Sequence, residues 1–114
     1  IGTDFGANLS YVAMSNDAAR AAVAVSPRNE TILKLAEVTR KEDLSFGPVF
    51  CIAGEADGGG AQKATCEDFQ FLTTEPHPVE IVPESEAHGY ALIEQDELLW
   101  GKVPDFLDEA VAGN

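Results

Sequence analysis

Three apolar runs punctuate the chain: AAVAVS (21–26), PVFCIAG (48–54) and VEIVP (79–83). Each is near-continuously apolar, or begins so, and is built mainly from valine, isoleucine and alanine. Strands buried on both faces of a parallel sheet read this way, because neither set of alternate side chains meets water. Between and around them lie stretches with helical character, roughly 5–16, 30–41, 61–73 and 96–111. The alternation predicts an α/β fold: a small parallel sheet with helices on both faces, joined by right-handed crossovers.

The helical periodicity assigns faces. In AQKATCEDFQFLTT, residues Ala61, Ala64, Phe69 and Leu72 form one apolar stripe at three- and four-residue spacings. In the last stretch Leu98, Leu99, Val103, Phe106, Leu107 and Val111 do the same. Pro104 removes a backbone donor in its middle, which predicts a kink or a short helix restarting there. The stretch 5–16 should follow a strand, but at most Ile1 is left of one. That shortfall, with an opening residue other than methionine, reads as a segment whose upstream part is missing. The 21–26 strand then has one unpaired edge, without charge or proline to guard it. These residues are expected to belong to a longer chain or to form a two-fold homodimer through that sheet edge, rather than to persist as a compact monomer.

Composition narrows the picture further. The chain has 114 residues, 45% of them hydrophobic, enough for one core-forming domain. No run approaches the ~18 consecutive apolar residues of a membrane span. The formal net charge of −13 repels phosphate backbones and anionic lipid, so neither nucleic acid nor a membrane surface is an expected partner. The two cysteines, Cys51 and Cys66, are 15 residues apart. That separation permits a bridge, while Cys51 in its apolar run equally suits a small buried thiol. Two glycosylation sequons occur, at Asn8 and Asn29, and the first falls inside the first helix.

Candidate chemistry gathers at strand ends. Asp4 sits between Gly2 and Gly6 in GTDFG, at the turn into the first helix. Asp57 follows the 48–54 strand in GEADGGG, and His88 follows the 79–83 strand in SEAHGY. Open parallel sheets place their sites past the carboxyl ends of strands. Taken singly, Asp4 is also a good helix N-cap, Asp57 a good turn residue, and His88 an ordinary loop histidine. His77, between two prolines, reads as structural or exposed, and Tyr90 and Trp100 as packing residues. The Gly58–Gly60 run lacks the Gly-Lys-Ser/Thr of a phosphate loop, and no ligand spacing points to a metal or another cofactor.

The order of these motifs resembles the C-terminal half of the α/β-hydrolase superfamily. In that family a nucleophile on a Gly-x-Ser-x-Gly elbow is followed by an acid and then a histidine. GTDFG matches the elbow, GEAD the acid loop and AHGY the histidine loop. PVFCIAGEAD is most similar to the compact, cap-less dienelactone-hydrolase and esterase branch. The resemblance spans residues 1–114 as a single partial domain. It implies Asp4 as nucleophile, His88 as general base, Asp57 as its orienting acid, and the amide of Phe5 as one oxyanion donor. It also implies a small-molecule substrate and no cofactor.

Two departures from the family pattern accompany the match: the first half of the fold is absent, and aspartate stands where the esterase branch has serine or cysteine. A carboxylate attacking an acyl carbon yields an unproductive anhydride, whereas attack at an sp³ carbon yields an alkyl ester that water can hydrolyse. The family's epoxide hydrolases and haloalkane dehalogenases carry such aspartate elbows, usually beneath a helical cap. Pro27 to Gly47 leaves no room for one. The expected function is therefore hydrolysis of a small ester-like, epoxide or halide substrate; the alternative is a catalytically silent relative acting as a binding or interaction module.

Overall fold

In a computed structural model, residues 1–15, 20–27 and 47–112 are described. The expected helix at 30–41, the second sequon at Asn29 and the segment judged too short for a cap lie largely or wholly outside them. Four parallel strands form one sheet in sequential order: β1 (Gly2–Thr3), β2 (Ala22–Val25), β3 (Val49–Gly54) and β4 (Val79–Val82). Helix α1 (Phe5–Ser15) follows β1, and α2 (Ala61–Gln70) follows β3 after a 3-10 turn over Asp57–Gly60. After β4 come a short α3 (Tyr90–Glu94) and the long α4 (Glu97–Ala112). The fold is a small α/β sheet with helices on both faces.

The residues of β2 and β3 explain the layering. Ala22, Ala24, Val49, Cys51 and Ala53 point to one face, where Ala7, Tyr11 and Met14 of α1 and Cys66 and Phe69 of α2 cover them. Val23, Val25, Phe50 and Ile52 point to the other, under Leu92 and Ile93 of α3 and Leu99, Val103, Phe106 and Ala110 of α4. Both sets are buried, which is why these strands carry no polar alternation.

Several expectations change on contact with the structure. A strand does precede the first helix: Gly2 and Thr3 pair with Ala24 and Val25. The outer edge of β2 is therefore paired over its second half rather than bare. A two-residue strand gives too short an apolar pattern to be read from sequence. The buried face of α2 is Gln62, Thr65, Cys66 and Phe69, with Ala61 and Ala64 exposed. The helix is rotated because Cys66 is bonded to Cys51 on β3, at a Cα–Cα distance of 5.6 Å. That disulfide settles the alternative between bridge and free thiol. On α4, Leu98 and Val111 face outward, and the helix continues through Pro104 instead of restarting. Pro104 lies on the exposed side, where losing one backbone donor is least costly. Asp96 caps this helix, its Oδ1 accepting the amides of Leu98 and Leu99 at 3.1 Å each. Asn8 is fully buried in α1, which leaves no room for a glycan there. No helix among the described residues is long and apolar enough to cross a membrane.

Candidate functional site

The carboxyl ends of β1, β3 and β4 bring three side chains together. Asp4 occupies the single residue between β1 and α1, with φ of 52°. A non-glycine residue in this left-handed region is uncommon, and it throws the side chain out at the crest of a sharp turn. The turn depends on Gly2: a Cβ there would lie 2.0 Å from the carbonyl oxygen of Gly6 and 2.6 Å from Ser10 Oγ. Gly6 has no such restriction, since a Cβ built on it meets nothing nearby. The Asp4 carbonyl accepts the amides of Ala7 and Asn8 at 3.0 and 3.4 Å, which starts the helix. The Phe5 amide thus belongs to the first turn, whose donors have no acceptor within the helix.

Asp57 is placed by the glycines behind it. Gly58, Gly59 and Gly60 have φ of 60°, 67° and 95°. Three successive left-handed residues swing the chain from the end of β3 into α2, a path that side chains with a Cβ resist. Asp57 is left buried at the start of the turn.

The His88 loop is tied to the acid loop and to β2. The amides of Glu55 and Ala56 donate to the carbonyls of Val82 and Ser85 at 2.9 Å each, and the Glu84 amide donates to Glu55 Oε1 at 3.1 Å. Ser26, buried at the end of β2 with φ of 55°, accepts the Gly89 amide on its hydroxyl at 3.0 Å. Sequence reading treated Ser26 only as the last residue of a strand. Its position past a strand end, shared with the other site residues, was the available signal.

These ties hold the imidazole between two carboxylates. His88 Nδ1 lies 2.5 Å from Asp57 Oδ2, and Nε2 lies 2.7 Å from Asp4 Oδ1. Each contact this short holds a hydrogen between ring nitrogen and carboxylate oxygen, and with both hydrogens on the ring, the state that a raised His88 pKa favours, the ring is an imidazolium donating to two carboxylates. Burial disfavours that charge, but the hydrogen bonds and charges of Asp57 and Asp4 outweigh it and hold the His88 pKa above its ordinary value. The side chains of Asp4, His88 and Asp57 are 42%, 32% and 10% exposed respectively. Asp4 is thus the carboxylate open to an incoming molecule, and Asp57 the one shielded from it.

Other candidates fall elsewhere. His77 is half-buried and its Nδ1 lies 2.9 Å from Thr73 Oγ1, away from the three residues above. Tyr90 and Trp100 are not packing residues, being 63% and 50% exposed. Among the described residues no group of three or more histidines, cysteines or acids is arranged to hold a metal ion. Comparison of the chain with protein-family models, curated proteins and solved structures returned no match.

Proposed function

We propose that the chain carries an α/β-hydrolase-like site that hydrolyses a small epoxide or alkyl halide through a covalent ester on Asp4. The observation that carries this reading is the two-sided hold on His88, with Asp57 on Nδ1 and the exposed Asp4, at a left-handed elbow, on Nε2. An aspartate so placed suits displacement at an sp³ carbon better than acyl transfer, which would end in an anhydride. Ester-like substrates are accordingly the least favoured of the expected set.

A carboxylate oxygen of Asp4 attacks the substrate carbon while the bond from that carbon to oxygen or halogen breaks, its electron pair leaving with the oxygen or halide. An opened epoxide takes its proton from His88 Nε2; with a halide the proton goes to solvent. Esterification removes the negative charge that held a proton on Nε2, so the neutral ring becomes a base when one is needed. It accepts a proton from water, and the hydroxide adds to the Asp4 carboxyl carbon. Collapse expels the alcohol, which receives the proton from His88, and the Asp4 carboxyl left behind returns its own proton to Nε2, restoring the starting state. Asp57 keeps the ring oriented, and the amide of Phe5 is the donor proposed for the tetrahedral oxyanion.

The test is a single turnover in ¹⁸O-labelled water, with enzyme in excess over a terminal epoxide or a primary alkyl chloride. Water attacks the carboxyl carbon, so label should appear in the peptide containing Asp4, and Asp4→Asn should abolish turnover. The alternative, a catalytically silent binding or interaction module, treats the same three residues as a clasp between loops. It is the correct reading if neither substrate is consumed and Asp4 stays unlabelled.

A further inference from the structure

Tyr90 and Trp100 do not pack into the core, yet they are not scattered on the surface either. Both line one cleft of about 580 Å³ between α3 and α4, together with Ile93, Glu94 and Glu97. Ile93 is buried and gives the cleft an apolar wall, and the two rings are half or more exposed. Glu94 closes α3 and Glu97 opens α4, so the two carboxylates stand on either side of the joint. Neither makes an ion pair with a described residue. None of Asp4, Asp57 and His88 lines the cleft.

We infer that this cleft binds a small organic cation bearing an alkylated ammonium group. Aromatic faces attract such a group through their quadrupoles, its methyl shell fits beside Ile93, and the two glutamates supply the countercharge. An inorganic divalent ion fits less well, because the joint offers only two carboxylates and the rings would contribute nothing. An uncharged apolar ligand would leave the carboxylates without purpose and gain nothing from the net charge of −13, which draws cations toward the chain. The volume lies in the range of small-molecule sites. The inference stands independently of any activity at Asp4.

Trp100 is the chain's one tryptophan, so its fluorescence reports on this cleft directly. Titration with choline should give a saturable change, while the isosteric neutral alcohol 3,3-dimethylbutan-1-ol and sodium chloride at matched ionic strength should not. Glu94→Gln combined with Glu97→Gln keeps the fluorophore and alters only exposed positions, and it should weaken choline binding about tenfold. Trp100→Leu, followed by calorimetry, should remove the binding. The inference is overturned if the alcohol and choline titrate alike, if salt reproduces the change, if no saturation occurs, or if the double variant binds choline as the parent does.

Discussion

The two faces of the sheet solve the same packing problem with different side chains. Along β2 the residues alternate Ala22, Val23, Ala24, Val25, and along β3 Val49, Phe50, Cys51, Ile52, Ala53, so that one face is mostly small and the other branched or aromatic. Over the small face lie α1 and α2, with Tyr11 and Phe69 filling volume at 6.1 Å between ring centroids and the Cys51–Cys66 bond tying helix to strand. Over the large face lie α3 and α4, held by Leu92, Leu99, Val103 and Phe106. Small strand residues offer less apolar area to bury per position, and a covalent link compensates on that side. The other face relies on bulk alone. A run that looks uniformly apolar thus conceals a period of two, in size rather than in polarity.

The largest effect should come from emptying the bulky face. Phe106 is buried and meets Phe50 edge-on, with centroids 5.5 Å apart and planes at 64°. Phe106→Ala should cost about 3–5 kcal/mol, read as a lower midpoint in urea unfolding at unchanged slope. A loss below about 1 kcal/mol would mean that α4 is not carrying this face and that the contrast with the disulfide-tied face is misplaced.

On the small-residue face the corresponding break is covalent. The Cys51–Cys66 link closes a 15-residue separation that includes Asp57 and the glycine turn. Replacing both cysteines by alanine should cost about 3 kcal/mol, chiefly by freeing the unfolded chain. Reductant should lower the midpoint of the parent but leave the double variant unmoved, measured by thermal unfolding with and without dithiothreitol. Equal response of both proteins would show that the bond contributes nothing on this face.

How much of this was legible in the sequence follows from the same contrast. The strands at 21–26, 48–54 and 79–83 are found at Ala22–Val25, Val49–Gly54 and Val79–Val82, because continuous apolar runs ending in turn residues have few other destinations in a parallel sheet. Helix faces were less legible. Leu98 is as apolar as Leu99 but lies outside, while Leu99 joins the buried cluster that contains Phe50 and Phe106. The Cys66 side of α2 was set by a bond that sequence left open. Helix α3, at Tyr90–Glu94, is too short to show a period, and it carries Tyr90 into the cleft that sequence treated as packing. The meeting of Asp4, Asp57 and His88 was anticipated from strand-end positions. Ser26, which fixes the residue after His88, was not, since a serine ending a strand has many ordinary uses.

The site itself joins the two faces, and its titration gives the smallest and most specific effect. Asp4 and Asp57 precede α1 and α2 on one side, whereas His88 precedes α3 on the other. The imidazolium between them is therefore a noncovalent tie across the end of the sheet, parallel in role to the disulfide within one face. Asp57 and Asp4 raise the His88 pKa above its ordinary value of about 6.5 against the opposing effect of burial. Because the folded protein then holds the proton more tightly than the unfolded chain, the tie is fully present below about pH 6.5 and is lost as pH rises through the raised folded value. His88→Gln cannot titrate, so subtracting its midpoint temperature from the parent's at each pH removes the general repulsion of an acidic chain. The difference should favour the parent most near pH 6 and shrink steadily toward alkaline pH. A difference that is flat or grows with pH would contradict a protonated bridge between the faces. Turnover of an alkyl halide should instead rise with pH, and at lower pH than this loss of stability. It follows the pKa of the ester intermediate, in which Asp4 has lost the charge that helps hold the proton on His88, since water attack needs the neutral ring. Loss of both the pH-dependent stability and the turnover on one substitution at His88 would tie the chemistry to the contact that holds the two halves together.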